Sequence, residues 1–368
     1  MALSDLVLDD AGIVYGFDMM EDEMDKLASK RADISLLRIS ATLAVVFLHT
    51  NNTLSNNSEQ FFLTKNQIVF FTTNNLLMNW GVPVFLMITG ALLLDPNRQI
   101  LYRDCIKKYT KRVLLALFVF GIPFSMLEIL LNTKSITIKS FFEATINVIN
   151  GNSWSHLWYL YALIGLYFVL PMLKTFVNNS DENTLLYLIS IIFIFNFVVK
   201  SVDKILGTTL AFEIPIVGFT VFYVLTGRYI MIIKSRILDK KHFCIGVLVF
   251  AIVVVAIVSI CYYPKSKELF GYNSPMIAVL SIAVFCLFIG AESEKTELLW
   301  KIDRLCFGVY LIHPVFINFI YKFLKFTPVT FGGLYPVATF GFWMLFVISS
   351  FVGTLIMYQI PMLKKYIL

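Results

Sequence analysis

An arginine and a histidine on one apolar stretch have the clearest potential for chemistry. Arg38 precedes the run ISATLAVVFLH, which ends in His49. The eleven steps between them, at about 100° each, bring both side chains onto one helical face, about 16 Å apart along the axis. Neutral imidazole suits a general base near pH 7, and a guanidinium can hold a phosphate with two hydrogen bonds. The spacing predicts a phosphorylated donor that is held near Arg38 and reacts near His49.

A structural interpretation of the same stretch is also open. Arg31 lies on the same face, seven residues before Arg38, where it suits a charge at a membrane surface. Arg38 can extend its guanidinium to lipid headgroups, and His49 can hydrogen-bond a neighbouring helix. Ionisable groups inside a bilayer are costly and usually functional, so the surrounding elements decide between the two interpretations.

The composition predicts the class of protein. Of 368 residues, 58% are hydrophobic and 15% are charged, and the mean hydropathy is +0.78. Soluble domains are nearer half apolar and a quarter charged. We therefore predict an all-α polytopic membrane protein with about ten transmembrane helices. The predicted spans are 33–50, 68–94, 113–131, 156–173, 184–200, 214–233, 243–262, 275–290, 305–324 and 336–358.

The distribution of charge predicts orientation and domain organisation. Basic loops at 95–112 and 234–242 lie on the same side as both termini, so the positive-inside rule makes both termini cytoplasmic. The basic excess is assigned to this topology, and nucleic acid is excluded as a partner. We predict an acidic cytoplasmic tail (1–30), a transmembrane domain (31–360) and a short basic cytoplasmic tail (361–368). The expected location is the cell inner (cytoplasmic) membrane.

The cysteines show no metal-binding pattern. They are scattered, mostly in or beside apolar runs, where small buried side chains are common. The five residues are Cys105, Cys244, Cys261, Cys286 and Cys306. Without a zinc-type cluster or a phosphate-binding glycine loop, the sequence predicts no metal site.

Several segments, taken in order, resemble one family. Arg31–x–Asp33 followed by Arg38–x10–His49 resembles the opening motif of the integral-membrane acyltransferase-3 family, of the stand-alone type that acetylates surface polysaccharides. Thr89–Gly90 stands where that family more often has Ser–Gly. The further matching segments are WGVPVFLMITGALLL (80–94), KKYTKRVLLALF (107–118), HLWYLYALIGLYFVLPML (156–173) and FGVYLIHPVF (307–316).

The resemblance implies an activity and its partners. The implied reaction is transfer of an acyl group, often acetyl, to a hydroxyl of an exported or lipid-linked surface glycan. Acetyl-coenzyme A, or another acyl-coenzyme A, is the implied cytoplasmic co-substrate, and no permanently bound cofactor is expected. Membrane lipids are the remaining expected partner. Within the motif, His49 is the implied catalytic base and Arg38 its donor-side partner.

Basic and acidic residues near the cytoplasmic side, where the donor is expected to bind, allow two interpretations each. Lys108, Lys111 and Arg112 form part of a dense basic cluster, which suits either ordinary membrane topology or binding of the nucleotide phosphates. Asp33 can pair structurally with Arg31 or Arg38, and such a pair can also hold Arg38 in a useful rotamer.

Further candidates lie in later spans. His313 precedes Pro314, which removes the hydrogen bond to the carbonyl of Tyr310 and favours a kink with a polar pocket. The alternative for His313 is a buried, hydrogen-bonded structural histidine. Glu128 is an acid inside the apolar third span, so it is expected to be neutral or paired with a base or histidine.

The start of the fourth span is rich in aromatic residues. His156, beside Trp154, is interpreted as a residue of the membrane interface. Trp158 and Tyr159 are interfacial too or line the donor pocket. The rival function for the whole chain is a secondary transporter or flippase for a polar lipid or glycan. A non-catalytic relative that supports export is a third possibility.

Overall fold

A computed structural model describes residues 31–209, 218–291 and 297–368, and within them the regular structure is helical. The predicted acidic tail, residues 1–30, lies outside the described residues. The longer helices are α1 (Ala32–Asn56), α2 (Lys65–Leu77), α3 (Gly81–Leu93), α4 (Lys111–Thr133), α5 (Ile138–Ile149), α6 (Trp158–Asn178), α7 (Glu182–Phe193), α8 (Phe219–Ile232), α9 (Lys241–Cys261), α10 (Pro275–Phe288), α11 (Glu297–Asn318) and α12 (Tyr335–Met357).

Shorter helical segments extend or connect these helices. Some are wider π-turns or tighter 3₁₀-turns that adjoin an α-helix, as at the start of the third and fourth spans. The segments are Tyr102–Asp104, Cys105–Thr110, Ser155–Leu157, Ile194–Val199, Lys200–Leu206, Lys234–Leu238, Ser266–Leu269, Phe319–Phe323, Pro328–Leu334 and Pro361–Tyr366.

The helices have the length and composition of membrane spans. Among the described residues, 8 helical runs are long and apolar enough to cross a bilayer, and α8 and α10 are shorter apolar helices. These runs coincide with the predicted spans. The prediction of an all-α polytopic membrane protein is therefore confirmed.

The outer helices expose apolar side chains, as expected next to lipid. On α9, Phe243 and Phe250 are exposed, and on α12, Val337 and Ile348 are exposed. Contiguous apolar surface of this extent is unusual on a soluble monomer. In α5 the small or short side chains face inward, whereas Ile138 is 81% exposed. These faces are where the bundle meets the hydrocarbon.

Two predicted boundaries differ from the structure. The span predicted at 68–94 is broken by a turn between α2 and α3, just before Pro83, which has no amide to donate to the carbonyl of Asn79. The loop predicted at 95–112 becomes helical at Tyr102. Basic residues are good helix formers, so a high density of charge marks the membrane surface but not the end of a helix.

The central helix of the bundle is α1, which packs against α2, α3, α11 and α12. Arg38 of α1 contacts Asp303 of α11, and His49 lies beside His313 further along both helices. The two helices therefore run parallel, in matched register. We call the end that holds Arg38 the basic end of the bundle.

The contact between α3 and α8 depends on two glycines. A β-carbon on Gly90 would lie 1.8 Å from the carbonyl oxygen of Val224, and one on Gly227 would lie 2.0 Å from that of Met87. Two helix backbones thus touch directly, as small residues allow in membrane bundles. The Gly90 position of the Thr–Gly pair is explained by this packing.

We expect Gly90→Ala to destabilise the protein by about 1–3 kcal/mol, because the added methyl group forces α3 away from α8. The matched control is Gly165→Ala on α6, where a β-carbon meets nothing within 4 Å. That change is expected to be neutral or slightly stabilising, since alanine favours helix. Thermal unfolding in detergent measures both, and equal midpoints for the two variants would contradict the close-contact interpretation.

Candidate active site

Three of the four histidines converge in the interior. The ring centroids of His49 and His313 are 5.0 Å apart, and those of His49 and His156 are 6.4 Å apart. The third side of this histidine cluster, between His156 and His313, measures 5.7 Å. The rings come from α1, from the turn before α6 and from α11. Imidazoles at these separations can exchange protons with one another or with a hydroxyl group between them.

Hydrogen bonds select the tautomer of His313. Its Nδ1 lies 3.1 Å from the carbonyl oxygen of Val309 and 2.9 Å from that of Tyr310. Because Pro314 has no amide hydrogen, the Tyr310 carbonyl lacks its helical donor, and the histidine ring supplies one instead. Nδ1 therefore carries the hydrogen, and Nε2 presents a lone pair. Among the described residues this buried Nε2 has no hydrogen-bond partner.

His156 is buried, so its assignment to the membrane interface is wrong. Its Nε2 lies 3.3 Å from the carbonyl oxygen of Leu311, and its own carbonyl accepts a 2.6 Å hydrogen bond from the hydroxyl of Tyr310. Phe124 of α4 and Trp154 stack at 4.3 Å and cover it. The tryptophan and histidine that look interfacial in sequence are folded inward by the 3₁₀ turn at Ser155–Leu157.

Arg38 forms an ion pair with Asp303, a residue that the sequence analysis did not select. Its Nη1 lies 2.7 Å from Oδ1 and 2.8 Å from Oδ2 of Asp303. Ser35 donates a 2.8 Å hydrogen bond to the same carboxylate. This ion pair satisfies charges that would be costly to bury alone. The signal in the sequence that could have identified Asp303 is helical periodicity. Asp303 lies seven residues before Tyr310, so the two side chains share one face of the helix.

Asp33 pairs with Arg31 and not with Arg38. The Arg31 guanidinium donates to both carboxylate oxygens, at 3.1 and 2.9 Å. The same carboxylate accepts from the amide of Gly290 at 3.0 Å and lies 3.8 Å from Nζ of Lys234. Asp33 thus ties the start of α1 to the segments after α8 and α10.

The three basic candidates near the third span do not converge on one site. Lys108 pairs with Asp104 at 3.5 Å, and Lys111 is exposed. Arg112 points inward, where its Nε donates to the carbonyl of Ile367 at 2.8 Å and its Nη2 to that of Leu368. The structure thus gives Arg112 backbone partners in the described conformation.

Glu128 does not join the histidine cluster. It lies on α4 one turn beyond Phe124, with its side chain exposed. The structure therefore places Glu128 outside the packed interior, apart from the three clustered histidines. Position near the end of a span, rather than depth within it, explains why the sequence tolerates this carboxylate.

Aromatic side chains surround the cluster on the side toward the basic end. Tyr159 is buried and packs against Tyr310 at 5.7 Å between ring centroids, and Tyr310 lies 5.9 Å from His156. Trp158 instead stacks on Tyr272 at 5.2 Å, apart from the three histidines. Of the aromatic candidates, Tyr159 and Tyr310 adjoin the cluster.

Metal binding is a further possibility for three neighbouring imidazoles. Across the described ranges, no group of three or more His, Cys, Asp or Glu side chains is arranged to hold a metal ion.

The Arg38–Asp303 pair makes a stability prediction. Asp303→Asn leaves the guanidinium without its counterion, and we expect a loss of about 1–3 kcal/mol, since Asp303 is buried while Arg38 keeps some solvent contact. The control is Glu182→Gln, which breaks the exposed pair with Arg236 and is expected to leave the unfolding midpoint unchanged. A midpoint for Asp303→Asn equal to that of the wild type would show that the pair carries no stability.

A comparison with protein-family models identifies the family to which this chain belongs. The family model described as an acyltransferase domain, acyltransferase-3, matches residues 31–359. No curated protein and no solved structure gives a significant match. The matched range contains the paired helices α1 and α11 and all three clustered histidines. The chain therefore belongs to the acyltransferase-3 family and is a membrane acyltransferase.

Proposed function

We propose that this acyltransferase moves an acetyl group from acetyl-coenzyme A to a hydroxyl of an exported or lipid-linked surface glycan, with His49 as general base. The observation that carries the proposal is the histidine cluster, in which the rings of His49 and His313 are 5.0 Å apart. It lies inside a helical bundle, where an unneeded imidazole would be costly. The expected setting is the inner membrane, with the basic end toward the cytosol.

The donor is expected to enter from the basic end. The distance of about 16 Å along α1 from Arg38 to His49 suits a pantetheine arm that spans from phosphates at the membrane surface to the interior. Tyr159 and Tyr310 offer apolar faces on the way to the cluster. Other acyl-coenzyme A donors share this chemistry, and acetyl is the group that the resemblance favours.

The acceptor is expected to enter from the opposite end. There α1 and α2 are joined by amide side chains, with Asn74 donating to Asn51 at 3.2 Å and Asn75 to Asn52 at 3.0 Å. A neighbouring cleft of about 390 Å³ is lined by Lys65, Asn66, Val69, Phe70, Thr73, Asn74 and Ile260. Amide groups both donate and accept, which suits sugar hydroxyls.

The proposed chemical step needs one base. His49 takes the proton of the acceptor hydroxyl as its oxygen bonds to the thioester carbonyl carbon. The carbon–sulfur bond then breaks, and the leaving thiolate receives the proton from the His49 imidazolium. The products are an ester and free coenzyme A. His313, whose Nε2 lone pair is available, orients the acceptor or assists the proton transfer.

A covalent acyl-histidine is the second route. One imidazole would take the acyl group from the thioester, and the acceptor hydroxyl would then take it from the ring with a second histidine as base. Incubation with labelled acetyl-coenzyme A and no acceptor separates the routes. Only the covalent route leaves label on the denatured protein.

We expect His49→Ala to reduce acetyl transfer about 100-fold or more, the usual contribution of a general base. The assay uses purified protein, labelled acetyl-coenzyme A and candidate surface glycans. The matched control is His242→Ala, which removes the exposed fourth histidine at the start of α9 and should transfer normally.

Undiminished transfer by well-folded His49→Ala would refute the assignment of the base. Movement of a glycan across vesicles by the wild type, without label transfer, would favour the transporter function instead.

A further inference from the structure

The segment between α5 and α6, residues 150–155, has no role in the mechanism above. Its sequence is Asn-Gly-Asn-Ser-Trp-Ser, and it leads directly into His156 of the histidine cluster. Residues 150–152 are exposed. What this exposure means depends on how deep in the membrane the segment lies.

Helix α5 folds back along α4 towards the interior of the bundle. A short turn, residues 134–137, joins the two helices. Near the far end of α5, Asn147 donates a 3.1 Å hydrogen bond to the hydroxyl of Ser125 in α4. Just beyond α5, Ser153 donates a 2.9 Å hydrogen bond to the carbonyl of Gly121. Positions along α4 thus fall as positions after the turn rise, so the two helices are antiparallel.

The contact with Gly121 gives the depth of the segment. Gly121 lies nine residues after Arg112, which ends the basic stretch at the membrane surface, and twelve residues before Thr133 at the other end of α4. At 1.5 Å per residue these separations are about 14 and 18 Å. The hydrocarbon core of a bilayer is about 30 Å thick. Residues 150–153 therefore lie near the middle of the membrane.

An exposed polar segment at this depth requires water. Lipid offers no hydrogen bonds, so non-helical backbone at membrane depth occurs only where protein buries it or where it lines a water-filled cavity. Asn150 and Asn152 are exposed. Their side-chain amides have no hydrogen-bond partner among the described residues. These two residues therefore face a water-filled cavity and not lipid.

The lipid-facing surface of α5 is a separate stripe. Phe142 and Ile146 are 61% and 56% exposed, and their spacing of four residues puts them on one face of the helix. This apolar stripe suits contact with hydrocarbon. The hairpin of α4 and α5 thus meets lipid along its length and water at its tip.

The cavity adjoins the histidine cluster on the side away from the basic end. Ser155, directly before His156, is exposed, and His49 is only partly buried although it lies in the interior. Tyr159 and Tyr310, which lie between the cluster and the basic end, are both buried. Open space therefore borders the proposed base from the end of the bundle at which α5 begins.

The side chains that border this space suit a sugar. The amides of Asn150 and Asn152 both donate and accept hydrogen bonds, as sugar hydroxyls do. Trp154 is partly exposed, and its stacking on Phe124 at 4.3 Å holds the ring in place. An aromatic ring held in this way offers an apolar face beside the polar groups.

We propose that residues 150–155 line an outward-open aqueous vestibule and bind the sugar whose hydroxyl is acylated at His49. This inference rests on the proposed function for the reaction and adds the subsite for the acceptor. The cleft lined by Asn66 and Asn74 borders α2 and not the histidine cluster. It is therefore left for parts of the glycan further from the reacting hydroxyl.

The first test is the reactivity of single cysteines in intact cells. All five native cysteines are replaced by alanine, and a charged, membrane-impermeant thiosulfonate reagent is added outside. We expect Asn152→Cys to react. The matched control Ile146→Cys lies nearer the outer surface but on the lipid-facing stripe, where a thiol stays protonated and unreactive. Ser135→Cys, in the turn after α4, is the positive control. An unreactive Asn152→Cys beside a reactive Ser135→Cys would overturn the vestibule.

The second test is kinetic. The acceptor is surface polysaccharide from the producing cells, stripped of its esters by mild alkali, and the donor is labelled acetyl-coenzyme A. We expect Asn150→Ala and Asn152→Ala each to raise the KM of the polysaccharide about tenfold, as the loss of hydrogen bonds to a sugar predicts. The KM of acetyl-coenzyme A should stay unchanged, and Asn152→Gln should recover part of the effect. The control Asn183→Ala, an exposed asparagine in α7, should behave as the wild type does.

The outcomes separate the two proposals. An equal rise in the KM of both substrates, or an unchanged KM of the polysaccharide in both alanine variants, would overturn the acceptor subsite while leaving the acetyl transfer itself intact. Polysaccharide binding that depends on Asn152, in a wild type that transfers no acetyl group, would support the vestibule and refute the proposed function.

Discussion

The parallel pairing of α1 with α11 is the constraint on which the site depends. Two contacts mark their register, an ion pair between Arg38 and Asp303 and a ring contact between His49 and His313. In a bilayer Arg38 and Asp303 each need a partner from another helix, because lipid offers none. A slip by one helical turn would leave an arginine and an aspartate unpaired. The ion pair therefore helps to hold the imidazoles at their separation.

The other helices differ in how closely they pack against their neighbours. Helices α3 and α8 meet through Gly90 and Gly227, so their backbones touch and little space remains between them. By contrast, α9 and α12 place large apolar side chains outward, toward lipid. The interior can thus be narrow and polar at the histidines while the periphery needs only hydrophobic surface.

The basic residues differ in whether the protein itself supplies partners for their donor groups. Arg31, Arg38 and Arg112 are bound to carboxylates or backbone carbonyls of the protein itself. Arg228 lies in an apolar helix, and its buried Nε has no hydrogen-bond partner among the described residues. Density of basic residues in the sequence drew attention to 107–112, but a ligand site depends on which donors remain unused. That property belongs to the packed structure.

The sequence by itself determined the membrane class, the positions of the spans and the shared helical face of Arg38 and His49. These follow from local hydropathy and helical period, which need no knowledge of neighbours. It also identified Tyr310 and His313 through Pro314. Only the tertiary structure decided that His156 joins the cluster, that Asp303 holds Arg38 and that Glu128 stays outside. Each of these depends on which helices pack together, and residues far apart in the chain carry no local signal of that contact.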